Sequence, residues 1–222
     1  RHGVNILGGD TTGSRADLVL NLTIVGHVRR DEVLYRSGAK PGDVVCVTGP
    51  VGDSRAGLQL VREGVPPPDA AMRALLEAHL LPRPHLEEWR FLATSGVASA
   101  ALDVSDGLGA DLAHIMEESG VGMRIEAERL PVSPALREFC ARRGEEPVRF
   151  ALSGGEDYVL AVTLRPEGCE AVRRGFAAAF GRPLQRVGEV IGGSALELLA
   201  PDGRVETVRP AGWDHFGGAP PG

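Results

Sequence analysis

The chain has 222 residues, enough for one large domain or two modest ones with real cores. A hydrophobic fraction of 43% beside 24% charged residues is the balance of a soluble globular protein. The net charge of −6 argues against a general nucleic-acid binder, which needs a basic footprint, but not against a nucleotide held through metal ions.

The cysteines, Cys46, Cys140 and Cys169, are odd in number, far apart in sequence and in no CxxC pattern. That fits a reducing, cytoplasmic setting without structural zinc. No apolar run approaches the roughly 18 residues of a membrane span, and no signal peptide is recognisable.

In chain order, residues 4–7 read as a short apolar strand entering Gly8-Gly9-Asp10-Thr11-Thr12, a turn with a carboxylate and two hydroxyls. Leu18, Leu20, Leu22 and Ile24 then alternate with Val19, Asn21, Thr23 and Val25, which is period-two strand patterning that stops at Gly26. Two strands make no stable domain alone, so this stretch reads as the tail of a domain completed elsewhere. The chain opens Arg1-His2-Gly3, without Met, and the expectation is an upstream segment, on the order of a hundred residues if it is a whole domain.

Arg36-Ser37-Gly38-Ala39-Lys40-Pro41-Gly42-Asp43 is turn-rich and marks a domain boundary. A strand at 44–48 follows, then the turn Gly49-Pro50-Val51-Gly52-Asp53-Ser54 and a helix at 55–63. That turn has the composition of a phosphate loop but lacks the Walker A lysine, so a structural turn with an Asp or Ser cap is preferred. Proline breaks at 65–69 and 80–84 precede helices at 70–79 and 85–95.

Residues 97–102 read as a buried strand. Beyond it Leu108, Leu112, Ile115 and Met116 fall at helical spacing, with Asp111, Glu117 and Glu118 on the other side and His114 as a structural helix residue. Asp103-Val104-Ser105-Asp106-Gly107 lies between strand and helix. Two readings stand there: Ser105 or Asp106 caps the helix, or the carboxylates and the helix N-terminus hold a metal–phosphate group.

A strand at 121–127 and a helix at 133–143 come next, then the polar patch Phe150-Ala151-Leu152-Ser153-Gly154-Gly155-Glu156-Asp157-Tyr158. Strand 159–164, helix 167–180 and strand 184–190 follow, and 196–199 with 204–208 forms a hairpin around Asp202-Gly203. The chain ends with Gly212-Trp213-Asp214-His215-Phe216 and a Gly/Pro tail; His215 has no His or Cys neighbour with which to bind metal. Alternating strands and helices with a late hairpin indicate a mixed α/β or α+β fold.

Acidic residues beside glycines thus recur at Gly9-Asp10, at 103–107 and at 154–157, each adjoining a predicted strand end. With Arg36-Ser37-Gly38-Ala39, Gly52-Asp53-Ser54 and Gly212-Trp213-Asp214-His215-Phe216 in this order, the series resembles the thiamine-monophosphate kinases. These belong to the superfamily of aminoimidazole ribonucleotide synthetase and selenophosphate synthetase. The resemblance implies two domains: 1–35 as the end of an N-terminal ATP-binding domain that dimerises through its sheets, and 36–222 as a C-terminal α/β domain. It implies Mg²⁺ on Asp10, Asp103 and Asp106, ATP on Gly9, Asp10, Arg36 and Ser105, and thiamine monophosphate on Glu156 and Trp213. It names no catalytic residue. The family's upstream Gly-Asp-Asp region is not in this sequence.

The implied reaction gives ADP and thiamine diphosphate. Its acceptor is a phosphate oxygen, already ionised near neutral pH with a second pKa of about 6, so no general base is required. Another ATP-using enzyme of the superfamily, or a nucleotide-binding module without turnover, are the alternatives.

Overall fold

The computed structural model describes residues 4–64, 67–210 and 212. Its frame is a seven-stranded sheet made of β1 (Val44–Val47), β2 (Ala98–Asp103), β3 (Gly122–Glu126), β4 (Leu160–Leu164), β5 (Gln185–Ile191), β6 (Leu196–Leu199) and β7 (Val205–Thr207). The spatial order is β2-β4-β1-β5-β3-β6-β7. All pairs are antiparallel except β3 with β6. The α/β expectation therefore holds, in its mixed, mostly antiparallel form.

Alternation along the central strands builds a core on each face. Val45, Val47, Ala100, Leu102 and Ala161 join the larger core, while Cys46, Ala101, Leu160 and Val162 join the other. The larger core is closed by α1 (Asp53–Glu63), α2 (Ala70–Leu80), α4 (Leu108–Ser119), α5 (Pro134–Arg143) and α6 (Pro147–Leu152). The smaller one is closed by α3 (Leu86–Thr94) and α7 (Pro166–Phe180), where Phe91 meets Phe176 and Phe180 edge-on. Cys46, Cys140 and Cys169 are free and buried. Among the described residues no helix is long and apolar enough to cross a membrane.

From residue 44 onward the expected elements appear within one or two residues, and along the whole chain the structure differs from expectation at two places. Helix α6 lies inside the stretch read as a polar patch. Glu146 caps it, accepting from the Val148 and Arg149 N–H groups at 3.0 and 2.7 Å, and Pro147 opens its first turn. The second difference concerns the expected N-terminal strands at 4–7 and 18–25, which do not form. Ile6, Leu18, Leu20, Leu22 and Ile24 are 76–94% exposed. Alternation supplies a face for burial, but a ladder also needs a neighbouring strand, and among the described residues this segment has none.

Helices α1 and α2 approach unusually closely. A Cβ at Gly57 would stand 2.2 Å from the Leu75 carbonyl oxygen and 2.7 Å from the His79 Cβ. Gly57→Ala should therefore lower stability by about 2 kcal/mol through overpacking. Urea unfolding measures this; an unchanged midpoint would mean that α2 slides away at no cost.

Candidate active site

Three motif loops meet at one end of the sheet. Beyond β2 and before β4 the ladder continues in the loops: Val104 N–H donates to Val159 O (2.8 Å), Tyr158 N–H to Val104 O (2.9 Å) and Glu156 N–H to Ser105 O (2.8 Å). The fit is close enough to require glycine, since a Cβ at Gly155 would lie 2.6 Å from the Ser105 carbonyl oxygen. The Gly52 turn closes against the same place, where a Cβ at Gly154 would stand 2.9 Å from the Gly52 Cα. Gly212 reaches it from the C-terminal side, beside Ala110 and the Asp106 carbonyl.

Two carboxylates fix these loops from inside. Asp111 Oδ2 accepts the N–H groups of Ser105, Asp106 and Gly107 at 3.0, 3.1 and 3.1 Å. Asp157 accepts from Gly52 N–H at 2.7 Å and Ser54 N–H at 3.3 Å. Each thus caps a helix whose own N-cap residue, Gly107 for α4 and Gly52 for α1, makes no side-chain cap bond. The local caps expected from sequence are therefore replaced. Asp111 takes the role assigned to Ser105 or Asp106 and is buried rather than facing out. Asp53 instead accepts from the Ser133 hydroxyl at 2.7 Å, and the Ser54 hydroxyl pairs with His79.

Burial sets the protonation of both groups. It pushes Asp111 up to about 6, against the pull of its N–H donors, and the charge of Asp106 adds to the rise. Burial likewise pushes Asp157 up to about 7, against the Gly52 and Ser54 N–H groups, with Asp53 and Asp111 adding negative charge.

Other acidic groups of the same loops face outward. Asp103 and Glu156 are exposed and Asp106 is half-buried. Their fields converge at Tyr158, whose hydroxyl is pushed up first by burial and then by the charges of Glu156, Asp103 and Asp106. Glu156 and Tyr158 both hold left-handed backbone, at φ 63° and 52°, a costly state for residues with a side chain.

Among the described residues, Asp106, Asp111 and His114 bring one ligand atom each within 4.8 Å of one another. Asp111 is a participant that the sequence reading had turned to the other side of α4. Asp103 lies at the end of β2, close by in the same loop system but outside that trio. Asp103 and Asp106 offer oxygen donors of the kind a hard cation such as Mg²⁺ takes, while the trio itself also includes the nitrogen donor His114.

The remaining residues assigned from the resemblance lie elsewhere. Asp10 is exposed and accepts from its neighbour Thr11 N–H at 2.8 Å, and nothing approaches a Cβ placed at Gly9. The Arg36 carbonyl accepts from the Ser119 hydroxyl at 3.3 Å, so its backbone sits at the far end of α4 from Ser105. Twelve helical residues separate those ends by about 18 Å. Trp213 lies outside the described residues.

The chain as a whole is similar to known proteins. The family described as AIR synthase related protein, C-terminal domain, matches residues 40–200. The thiamine-monophosphate kinase of Escherichia coli K12 is 38% identical over 214 residues, 96% of this chain and 64% of its own length. A solved structure, AaThiL complexed with AMPPCP and TMP, superposes with a TM-score of 0.70 at 35% identity, covering 82% of this chain and 54% of that one. The thiamine-monophosphate kinase of Stenotrophomonas maltophilia gives a TM-score of 0.69 at 34% identity, covering 79% of this chain and 55% of that one. The chain therefore spans just under two thirds of the Escherichia coli relative and about half of the solved chains.

The raised Asp157 predicts a pH effect with a definite sign. Its folded pKa of about 7 stands above the ordinary 3.8, so the folded state holds the proton more tightly. Its contribution to stability is complete below about pH 4 and declines as pH rises toward 7. In denaturant titrations across that range, the wild type should lose ground steadily to Asp157→Asn. A difference independent of pH would mean that Asp157 is ionised throughout.

Proposed function

We propose a function from the premise that the chain belongs to the family of AIR synthase related proteins, as their C-terminal domain. The chain forms the C-terminal part of an enzyme that transfers the γ-phosphoryl group of ATP to thiamine monophosphate in the cytoplasm. An oxygen of the acceptor phosphate attacks the γ-phosphorus in line, the bond to the β-phosphate breaks, and ADP and thiamine diphosphate leave. The observation that carries this reading is the outward group Asp103, Asp106 and Glu156, held by the inward pair Asp111 and Asp157, in a chain similar to one complexed with AMPPCP and TMP.

Asp103 and Asp106 would hold Mg²⁺. Bound there, the metal supplies charge neutralisation for two anionic reactants and a template for their alignment. The chain's own residues do the rest. Asp111, already engaged by three N–H groups, keeps the 105–107 turn rigid and aims Asp106 outward. The Ser105 hydroxyl is assigned to the nucleotide, as are Gly9, Asp10 and Arg36. Arg36 reaches it through rearrangement of the chain before β1 or from a second copy, consistent with a homodimer formed through the N-terminal domain. Glu156 and Trp213 are assigned to the cationic thiamine moiety, by charge and by stacking.

In the full chain, thiamine monophosphate should elicit Mg²⁺-dependent ADP release, measured by a coupled assay. Asp106→Ala should lower kcat by about a hundredfold or more, in line with losing electrostatic stabilisation of the transferring group. ADP release with a different small anion in its place would favour a sister enzyme of the superfamily. ATP binding without release under any acceptor would favour a nucleotide-binding module.

A further inference from the structure

We infer that His79 is a positioning residue for Glu156, an assignment that rests on the reading of Glu156 as a thiamine contact. No motif includes His79; it comes from the last turn of α2. Its Nδ1 lies 3.0 Å from the Ser54 Oγ and 3.8 Å from the Glu156 Oε2. The first is a hydrogen bond; the second is a charge contact slightly beyond hydrogen-bond range.

The support beneath His79 is rigid. Ser54 is buried, and its N–H donates to Asp157. The close approach of α1 and α2 at Gly57 places the His79 Cβ against α1. The imidazole side chain is 16% exposed, whereas the Glu156 side chain is 59% exposed. In the tautomer with hydrogen on Nδ1, that N–H faces both the Ser54 oxygen and the Glu156 carboxylate.

Glu156 needs such a neighbour. Its backbone N–H is tied to Ser105 O and its φ is 63°, so the main chain is set. An exposed carboxylate on that main chain still samples several rotamers, and ordering it on binding has an entropic cost. His79 confines the carboxylate to the side of the loop facing α2. Charge recognition of the thiamine ring is the same in the ground state and the transition state. Losing its orientation therefore raises KM and leaves kcat alone.

The test compares His79→Ala and His79→Asn in the full chain, alone and in a Glu156→Ala background. Asn places an amide nitrogen where Nδ1 stands. His79→Ala should raise KM and the calorimetric Kd for thiamine monophosphate about fivefold, with kcat and the KM for ATP unchanged, and His79→Asn should restore most of the loss. In the Glu156→Ala background, His79→Ala should add nothing. Equal effects with and without Glu156, or a fall in kcat matching the rise in KM, would overturn the inference. If Glu156→Ala leaves thiamine monophosphate binding intact, the substrate assignment of Glu156 is what fails. Amide exchange across residues 153–158 then decides for His79: faster exchange in His79→Ala, but not in His79→Asn, supports positioning, and unchanged exchange refutes it.

Discussion

The site depends on one kind of interaction, a carboxylate placed inside the fold to collect backbone N–H groups that no neighbour in sequence collects. Asp111 does this for the turn entering α4, and Asp157 for the turn entering α1. Helix N-termini carry unpaired donors and partial positive charge, and an acceptor there stabilises both. The arrangement differs from a local cap in its reach. Asp157 closes the first turn of a helix 103 to 105 residues earlier in the chain. Helix formation and loop docking therefore become one event.

That device divides the acidic residues into two populations with different electrostatics. Asp111 and Asp157 are satisfied by N–H groups, and burial raises them toward neutrality of charge. Neither has to recruit a cation to be stable. Asp103, Asp106 and Glu156 lie further out and act together on Tyr158. Their mutual repulsion is moderate because water reaches them. The loops are fixed by the inner carboxylates before any ligand is present.

Much of the frame was legible in the sequence because its signals are local. The strands of the sheet and the helices α1 to α5 and α7 follow from periodicity, proline breaks and glycine stops. Helix α6 was missed although Glu146-Pro147 is a start signal, because Phe150 and Leu152 were grouped with the polar residues after them. The inner carboxylates were not legible for a different reason. A buried Asp collecting distant N–H groups has no period, and Asp111 looks like an ordinary outward helix residue until Gly107 and its neighbours are placed around it. His79 was invisible for the same reason: its neighbours Ser54 and Glu156 are 25 and 77 positions away.

The N-terminal segment shows where a local signal misleads. Period-two alternation over residues 18–25 describes the faces of a strand without supplying its ladder partner. In this chain those side chains stay in solvent. The body matched by the family, residues 40–200, is by contrast closed on both faces of its sheet. The division has a functional consequence. The carboxylates that would hold metal, Asp103 and Asp106, belong to the closed body, while Gly9, Asp10 and Trp213 belong to its flanks. The proposed charge neutralisation would then rest on a rigid frame. The nucleotide and ring contacts proposed above are assigned to those flanks. For the proposed joining of two anions this order would be favourable, because the frame has to be set before either reactant can be accepted.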